Sequence, residues 1–144
     1  MSNSLWNRKA RFNYTIETKY TAGIMLLGTE VKSIREGMVN FNDSYCLFVN
    51  DELWVRGLHI SEYGYGTTHE AIRDRKLLLK KKEIKKIQNL IKERGFTIFP
   101  LEIFFTERNI AKIEIGIGKG KKEYDKRETI KKRESERDIK NQNY

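Results

Sequence analysis

Few residues in this sequence have the types and spacing that metal or acid–base chemistry needs. The carboxylates of Glu30, Glu36 and Asp43 could in principle gather around Mg²⁺, as in a nuclease. Acids scattered through a predicted helix and the turn after it are more often caps and surface charges, so a nuclease is the less favoured interpretation. His59 and His69 lie ten residues apart, and no nearby cysteine or histidine completes the spacing of a zinc site. We therefore expect no catalytic residue, no metal site and no cofactor.

The remaining reactive side chains are better explained as structural residues. His59 lies in the strand-like run GLHIS, and Cys46 lies in the β-like run SYCLFV without an obvious base partner. One cysteine cannot form an internal disulfide framework, which fits a reducing compartment. The sequence has no signal-peptide-like start and no apolar run of about 18 residues. We therefore expect a cytoplasmic protein with no membrane partner.

Positive charge is the strongest chemical signal in the sequence. It contains 29 lysines and arginines against 20 aspartates and glutamates, for a net charge of +9. This excess favours a polyanion, and nucleic acid is favoured over a membrane because no basic helix with a broad apolar face is visible. Structured RNA is favoured over DNA because there is no recognition helix, zinc finger or basic zipper. Three clusters carry the charge: Arg8, Lys9 and Arg11; the basic residues within positions 73–82; and Lys119, Lys121 and Lys122.

The second cluster reads RDRKLLLKKK, and two interpretations remain open for it. In the first, the charges follow RNA phosphates and an exposed leucine stacks on a base. In the second, the leucines enter the core and the charges are simply solvated. The basic residues concerned are Arg73, Arg75, Lys76, Lys80, Lys81 and Lys82.

The third cluster lies in the glycine-rich run GIGKGKK at residues 116–122. This run has too few spacer residues for a phosphate-binding P-loop, and no serine or threonine follows its lysines. Gly116, Gly118 and Gly120 are expected to permit strand distortion and close approach of the backbone. The three lysines would then be available to phosphates, although a flexible basic linker explains the composition equally well.

The C-terminal segment, residues 119–144, has a composition that cannot form a core. It holds ten lysines and arginines and six acids, and its large apolar or aromatic residues are only Tyr124, Ile130, Ile139 and Tyr144. Ile130 and Ile139 would fall on nearly opposite faces of a helix, so no apolar stripe exists. We expect this tail to be disordered, or a solvated helix, until a charged partner holds it.

The rest of the chain predicts a mainly β domain, residues 1–118, with a few packed helices. Alternating and β-branched runs predict strands at residues 12–20, 22–27, 44–49, 52–58, 97–106 and 110–117. Helices are expected after a Thr29 cap, ending at Gly37, and over residues 80–94, ending at Gly95. Residues 61–75 are expected to form a mobile loop, and Pro100 an edge position or bulge. These elements suggest a small closed or nearly closed β-barrel of the OB-like kind.

Six stretches of the sequence together resemble one family. They are NRKARFNY, AGIMLLGTEVKSIREG, NFNDSY, HISEY, RKLLLKKKEI and IGIGKGKKEYDKRETIKKRE. The chain resembles the SsrA-binding protein (small protein B) family, the bacterial partner of transfer-messenger RNA. The resemblance implies an OB-like β-barrel that binds the tRNA-like domain of this RNA. It further implies delivery of that RNA to stalled ribosomes for trans-translation and peptide tagging, without enzymatic activity.

The resemblance also assigns roles to individual residues. Ala22, Gly23, Leu78 and Lys112 fall at positions where the family contacts transfer-messenger RNA, with Lys76 supporting them. The tail would contact small-subunit rRNA at the decoding centre and in the mRNA channel, where it would become helical. The tail positions implied for tagging and for these contacts are Lys119, Lys121, Lys122, Tyr124, Asp125, Lys126, Arg127, Lys131, Lys132 and Arg133.

Some positions depart from the family pattern, and one other function class remains open. Thr21 stands where some members carry an acid, Phe12 replaces a common histidine, and Asp74 replaces a common proline. A structural ribosomal protein whose tail threads through rRNA is the alternative function. The DKR tail motif, together with GTEVKS and RKLLL, favours the rescue protein.

Overall fold

A computed structural model describes residues 4–64 and 68–121 of the chain. This part contains three helices and nine strands. The helices are α1 (Ala10–Asn13), α2 (Gly28–Arg35) and α3 (Lys81–Arg94). The strands are β1 (Leu5–Trp6), β2 (Tyr14–Ile24), β3 (Val39–Asn40), β4 (Tyr45–Val49), β5 (Glu52–Arg56), β6 (His59–Ile60), β7 (Arg75–Leu78), β8 (Thr97–Phe105) and β9 (Ala111–Gly120). No helix within the described ranges is long and apolar enough to cross a membrane.

The main sheet has seven strands in the order β1-β8-β4-β5-β7-β2-β9. Strand β9 also pairs with β8, so six of the strands close into a ring and β1 extends it at β8. All pairings are antiparallel, and β3 and β6 form a separate two-stranded sheet. The predicted mainly β fold with a few packed helices is therefore confirmed.

The core of the ring follows from the two-residue period of its strands. In β9, Ile113, Ile115 and Ile117 are fully buried and point to the same side. Strand β2 contributes Ala22 and Ile24 to this core, and α3 closes over it with Ile87. A second, smaller cluster forms outside the ring, where Ala10, Phe99 and Leu101 pack together with Tyr14 and Ile16.

Backbone geometry defines the turn between β4 and β5 and confirms two local predictions. Asn50 and Asp51 both have positive φ, at 52° and 63°, as the tight turn of a two-residue hairpin requires, and they join β4 to β5. The register of β8 against β9 shifts between Pro100 and Glu102, so the predicted bulge is present. The helix predicted over residues 80–94 is also present and ends at Gly95.

Several predicted boundaries are wrong, and each has a structural reason. The strands predicted at residues 12–20 and 22–27 are one continuous strand, β2, because its pairing with β9 runs from Tyr14 to Gly23. The loop predicted over residues 61–75 ends in β7, which pairs with both β5 and β2. Strand β9 continues to Gly120, past the predicted strand end at residue 117, because Lys119 still pairs with Thr15.

Helix α2 begins at Gly28 rather than after a Thr29 cap. The backbone N–H of Leu27 donates to Glu30 Oε1 at 2.7 Å, which satisfies one of the unpaired amides at the helix start. Helix α3 begins in the same way, with the Lys80 N–H donating to Glu83 Oε1 at 3.0 Å. The Thr29 hydroxyl instead lies 2.8 Å from His69 Nδ1, so this side chain joins α2 to the loop before β7.

Candidate nucleic-acid interface

Three residues from separate parts of the sequence meet in one row across the sheet. Gly23 in β2 pairs with Leu78 in β7 on one side and with Lys112 in β9 on the other. Lys112 in turn pairs with Phe104 in β8. Because directly paired residues of antiparallel strands project on the same face, this outer row combines an exposed leucine, a glycine, a lysine and an aromatic ring.

The row faces outward because its neighbours along each strand face inward. Leu78 is 49% exposed, whereas Leu77 beside it is 2% exposed. Gly23 and Lys112 are likewise half-buried beside the fully buried Ala22 and Ile113. Ala22, which was also predicted to contact RNA, is fully buried in this structure, and its methyl group packs in the core.

The absence of a side chain at Gly23 shapes this row. A Cβ at this position would lie 3.3 Å from Leu78 Cβ, which is closer than most such contacts. Glycine therefore allows Leu78 to lie across β2 and leaves the backbone of β2 open between the leucine and Lys112. An RNA sugar or base could approach the strand backbone at this point.

Lys76 lies on the same outer face of β7 as Leu78, but its ammonium group already has an ion-pair partner. Its ammonium group is 3.4 Å from Glu52 Oε1, and its strand partner is Trp54 in β5. Arg56 and Asp74 form a second surface ion pair nearby, at 3.1 Å. Exposed pairs of this kind are weak, so Lys76 can exchange its carboxylate for a phosphate at small cost.

Two arginines of the second basic cluster point toward the protein interior, whereas Lys80, Lys81 and Lys82 are exposed. Glu30 and Arg75 are both fully buried, and Arg75 Nε donates to Glu30 Oε2. Arg73 holds the same carboxylate with two bonds, from Nη2 to Oε1 at 2.6 Å and from Nε to Oε2 at 3.0 Å. The remaining Arg75 donors reach backbone carbonyls, including those of Leu58 at 2.8 Å and Ala71 at 3.2 Å. This cluster anchors α2, the loop before β7, and β7 itself.

The electrostatics of Glu30 follow from these contacts. Burial alone raises the pKa of its carboxyl, but the hydrogen bonds from Arg73, the Leu27 N–H and Arg75 outweigh burial. The pKa of Glu30 therefore lies below its ordinary value, and the group is ionised at neutral pH. A carboxylate held by two arginines is not available as a magnesium ligand, so the nuclease interpretation of Glu30, Glu36 and Asp43 has no support.

The cluster also corrects the interpretation of the run RDRKLLLKKK. Arg75 is not part of a phosphate-binding patch, because its guanidinium has no accessible surface. The alternation along β7 already carried the signal: Arg75 shares a face with Leu77, and Lys76 shares the opposite face with Leu78. Among the described residues there is no group of three or more histidines, cysteines or acids that could hold a metal ion.

The cysteine and the two histidines differ in how deeply they are buried. Cys46 is buried in β4, as predicted, and burial raises the pKa of its thiol, which makes it inert. The buried histidine is His69, whose Nε2 lies 2.8 Å from the Ile60 carbonyl oxygen and whose Nδ1 faces Thr29. His59 lies half-buried in the short strand β6.

The N-terminal cluster lies on the outer side of the ring. Arg8, Lys9 and Arg11 are all exposed, and Ala10 between them is buried against Phe99 and Leu101. The Tyr14 ring stacks on Phe99 with their centroids 4.1 Å apart, which fixes the start of β2. These contacts hold the short helix α1 on the sheet with its charged side chains toward solvent.

Three glycines before the tail were predicted to permit close backbone approach, and two of them, Gly116 and Gly118, have no room for a side chain. A Cβ on Gly118 would lie 1.7 Å from the Thr15 carbonyl oxygen, and one on Gly116 would lie 2.6 Å from the Phe99 ring. Gly120 has no atom within 4 Å of such a position. Glycine is therefore required at residue 118 by the close approach of β2, and at residue 116 by the Phe99 ring of β8.

Two of the predicted tail residues lie within the described range. Lys119 is exposed, and its ammonium group lies 5.7 Å from the centre of the Phe96 ring. The backbone N–H of Lys121 donates to the Asn13 carbonyl at 2.7 Å, so the chain leaves the sheet beside α1. The remaining predicted residues lie outside the described residues: Lys122, Tyr124, Asp125, Lys126, Arg127, Lys131, Lys132 and Arg133.

Comparison with known proteins identifies similar chains over nearly the whole length. The family model described as "SmpB protein" matches residues 4–143. The SsrA-binding protein of Bacteroides thetaiotaomicron is 50% identical over 135 residues, covering 92% of this chain and 90% of that protein. The SsrA-binding protein of Anaplasma phagocytophilum is 53% identical over 134 residues, with the same coverage of 92% and 90%.

A solved structure adds a match in three dimensions. It is described as "tmRNA-SmpB: a journey to the center of the bacterial ribosome". The matching chain has a TM-score of 0.71 and 42% sequence identity, and the match covers 84% of this chain and 86% of that one.

Proposed function

We propose that this chain, which belongs to the SmpB protein family, binds the tRNA-like domain of transfer-messenger RNA and delivers it to stalled ribosomes for trans-translation. The protein acts by binding and positioning RNA, and it catalyses no reaction itself. Its similarity to relatives named SsrA-binding protein, and to a chain described with tmRNA and the bacterial ribosome, supports this function. The same similarity favours a rescue factor over a permanent ribosomal protein.

The observation that carries the proposal is the outer row of Leu78, Gly23 and Lys112. Three distant sequence motifs supply these residues, and direct strand pairing brings them together on an exposed face. In the proposed complex, Lys112 neutralises a phosphate and Leu78 packs against a base or sugar. Gly23 lets the RNA backbone approach β2. The nearby Lys76 supplies a second, weaker charge contact.

The fold supports a division of labour between two parts of the chain. Residues 1–118 form the RNA-binding domain, which we assign to the OB-like barrels on the basis of its closed six-stranded ring and packed helices. Residues 119–144 form the basic tail, which we assign to the ribosome. A protein with this function works in the cytoplasm.

The tail is proposed to act after the RNA has been bound. Lys119, Lys121 and Lys122 begin it, followed by Tyr124, Asp125, Lys126 and Arg127, which are assigned to the decoding centre. Beyond them, Lys131, Lys132 and Arg133 are assigned to phosphates of the empty mRNA channel. The spacing of opposite charges four residues apart favours a helix there, by about 0.2–0.5 kcal/mol for each pair.

The proposed division is tested by truncating the chain after Lys122. We expect the affinity for transfer-messenger RNA to be nearly unchanged in a gel-shift titration, because the outer row remains intact. Peptide tagging on ribosomes stalled at the end of a message should be lost, because the tail contacts are gone.

A matched control keeps the tail and removes the outer row instead. In the full-length protein, Leu78→Asp combined with Lys112→Glu should abolish capture of transfer-messenger RNA. If the truncated protein lost RNA affinity and the row variant kept it, the proposed roles of the two parts would be reversed and the assignment would be wrong.

A further inference from the structure

Trp6 is an exposed aromatic residue that the outer row does not use. It is 55% exposed, although a tryptophan side chain has more apolar surface to bury than most. Its position explains the exposure, since β1 is the end strand of the sheet formed by the described residues, and the alternation turns Leu5 toward the core. The indole is therefore held on a strand with its surface directed away from the ring.

Trp6 borders a surface pocket of about 360 Å³. The apolar side chains of Ile16 and Leu101 line this pocket, and the volume lies within the range of small-ligand sites. The charged residues that line it are Arg8, Arg11, Lys19 and Glu114. An aromatic surface, an apolar lining and three cations are therefore combined in one concave site.

The charged side chains of the pocket differ in whether they have an ion-pair partner. Lys19 and Glu114 form an ion pair at 3.8 Å, so they largely compensate each other. Arg8 and Arg11 are exposed, and neither has an ion-pair partner within residues 4–64 and 68–121. The two guanidinium groups leave the pocket with a net positive charge, which is complementary to a phosphate.

The pocket lies between the two RNA contacts of the proposed function. A shallower surface groove shares Arg11, Ile16 and Lys19 with it and extends to Lys121, where the tail begins. In the other direction, β2 continues from Lys19 to Gly23 in the outer row. The pocket therefore lies on the surface that an RNA would cover in passing from the outer row toward the tail.

From this geometry we propose that the pocket binds one unpaired RNA base, stacked on the Trp6 indole, with the flanking phosphates held by Arg8 and Arg11. Stacking on an aromatic ring needs a base whose face is free, so single-stranded RNA fits and a continuous duplex does not. The proposal rests on the RNA-binding function proposed above and adds a site for an unpaired nucleotide to it.

Tryptophan fluorescence offers a direct test, because the chain has only two tryptophans. In the full-length Trp54→Phe protein, Trp6 is the sole indole. We expect a single-stranded adenine octanucleotide to quench its fluorescence in a saturable titration, and an RNA duplex of the same length to quench it far less. The Trp6→Phe protein, which retains Trp54, should show no comparable quenching.

Substitutions then distinguish the contribution of base stacking to octanucleotide binding from the contribution of charge. Trp6→Ala should weaken binding of the octanucleotide about tenfold, and Trp6→Phe should weaken it less because the ring remains. Arg8→Ala should also weaken binding, whereas Arg108→Ala, which removes another exposed charge in the turn between β8 and β9, should not. Equal losses for Arg8→Ala and Arg108→Ala would mean that bulk charge alone binds the probe and would overturn the proposal.

The pocket and the proposed function can fail independently. If transfer-messenger RNA binds tightly and the single-strand probe leaves the fluorescence of Trp6 unchanged, the pocket proposal is wrong and the proposed function stands. If the probe quenches Trp6 but the outer-row variant still captures transfer-messenger RNA, the outer row is wrong and the pocket stands. Equal quenching by single strand and duplex would also overturn the stacked base.

Discussion

The two faces of strand β7 both carry charged residues, but one face is buried in the protein and the other is exposed. On the inner face, Arg75 is fully buried and joins Arg73 in holding the carboxylate of Glu30. On the outer face, Leu78 is half-exposed beside Gly23, and Lys76 makes only a weak surface ion pair. In this one strand a charge is buried and a leucine is exposed, which reverses the usual preference of both residue types.

The comparison separates residues that build the interface from residues that contact the partner. The buried arginine fixes β7 to α2 and to the loop before it, and so fixes where Leu78 and Lys76 point. A buried ion pair seldom adds net stability relative to apolar residues, but removing one partner is costly. The Glu30 cluster is therefore expected to affect folding, and the outer row is expected to affect RNA binding.

The largest effect that tests this separation is expected for Glu30→Gln. The substitution keeps the shape of the side chain but leaves two arginines without their counter-charge, one of them fully buried. We expect the free energy of unfolding to fall by about 3–5 kcal/mol, measured by urea denaturation. Glu93→Gln, on the exposed side of α3, is the matched control and should change stability little. A loss as small as that of the control would show that the cluster does not anchor β7.

The same carboxyl predicts how stability depends on pH. The pKa of Glu30 is lower in the folded protein than in the unfolded chain, so its contribution is fully present above the unfolded value and is lost as the pH falls through the folded value. The wild-type protein should lose this contribution progressively below about pH 5, and Glu30→Gln should have a flatter profile there. Parallel profiles for the two proteins between pH 6 and pH 3 would contradict the assignment.

Two adjacent leucines provide the next test. Leu77→Ala removes a core side chain and should lower the free energy of unfolding by about 2–5 kcal/mol. Leu78→Ala should leave stability within about 0.5 kcal/mol of wild type. It should weaken binding of transfer-messenger RNA about tenfold, because an exposed leucine would no longer be buried against RNA. If both variants changed only stability, the outer row would not be an RNA contact.

The smallest effect is expected at Lys112. Lys112→Ala should weaken binding of transfer-messenger RNA and lower the slope of log affinity against log salt concentration by about 1, as expected for one lost phosphate contact. Lys92→Ala, on the exposed side of α3, should change neither quantity. An unchanged salt slope for Lys112→Ala would remove this lysine from the interface.

Much of the architecture was predictable because its signals are local. The apolar spacing and terminal glycine of α3 depend on a few consecutive residues, as does the Asn50–Asp51 turn. The bulge at Pro100 follows from the missing N–H of proline. Strand β7 was missed because it is short and highly charged, and because its buried charge, Arg75, is satisfied by Glu30, which lies 45 residues away in the sequence.

The sequence by itself determined the composition of the interface: the basic clusters, the family motifs, and the glycines that permit close strand approach. Only the tertiary structure decided which members of those motifs can reach a partner. Strand pairing places Gly23 between Leu78 and Lys112, and the pleat of the same strands buries Ala22 and Arg75. The physical reason is that each residue's exposure depends on strand register and on distant counter-charges, neither of which is encoded in its immediate neighbours.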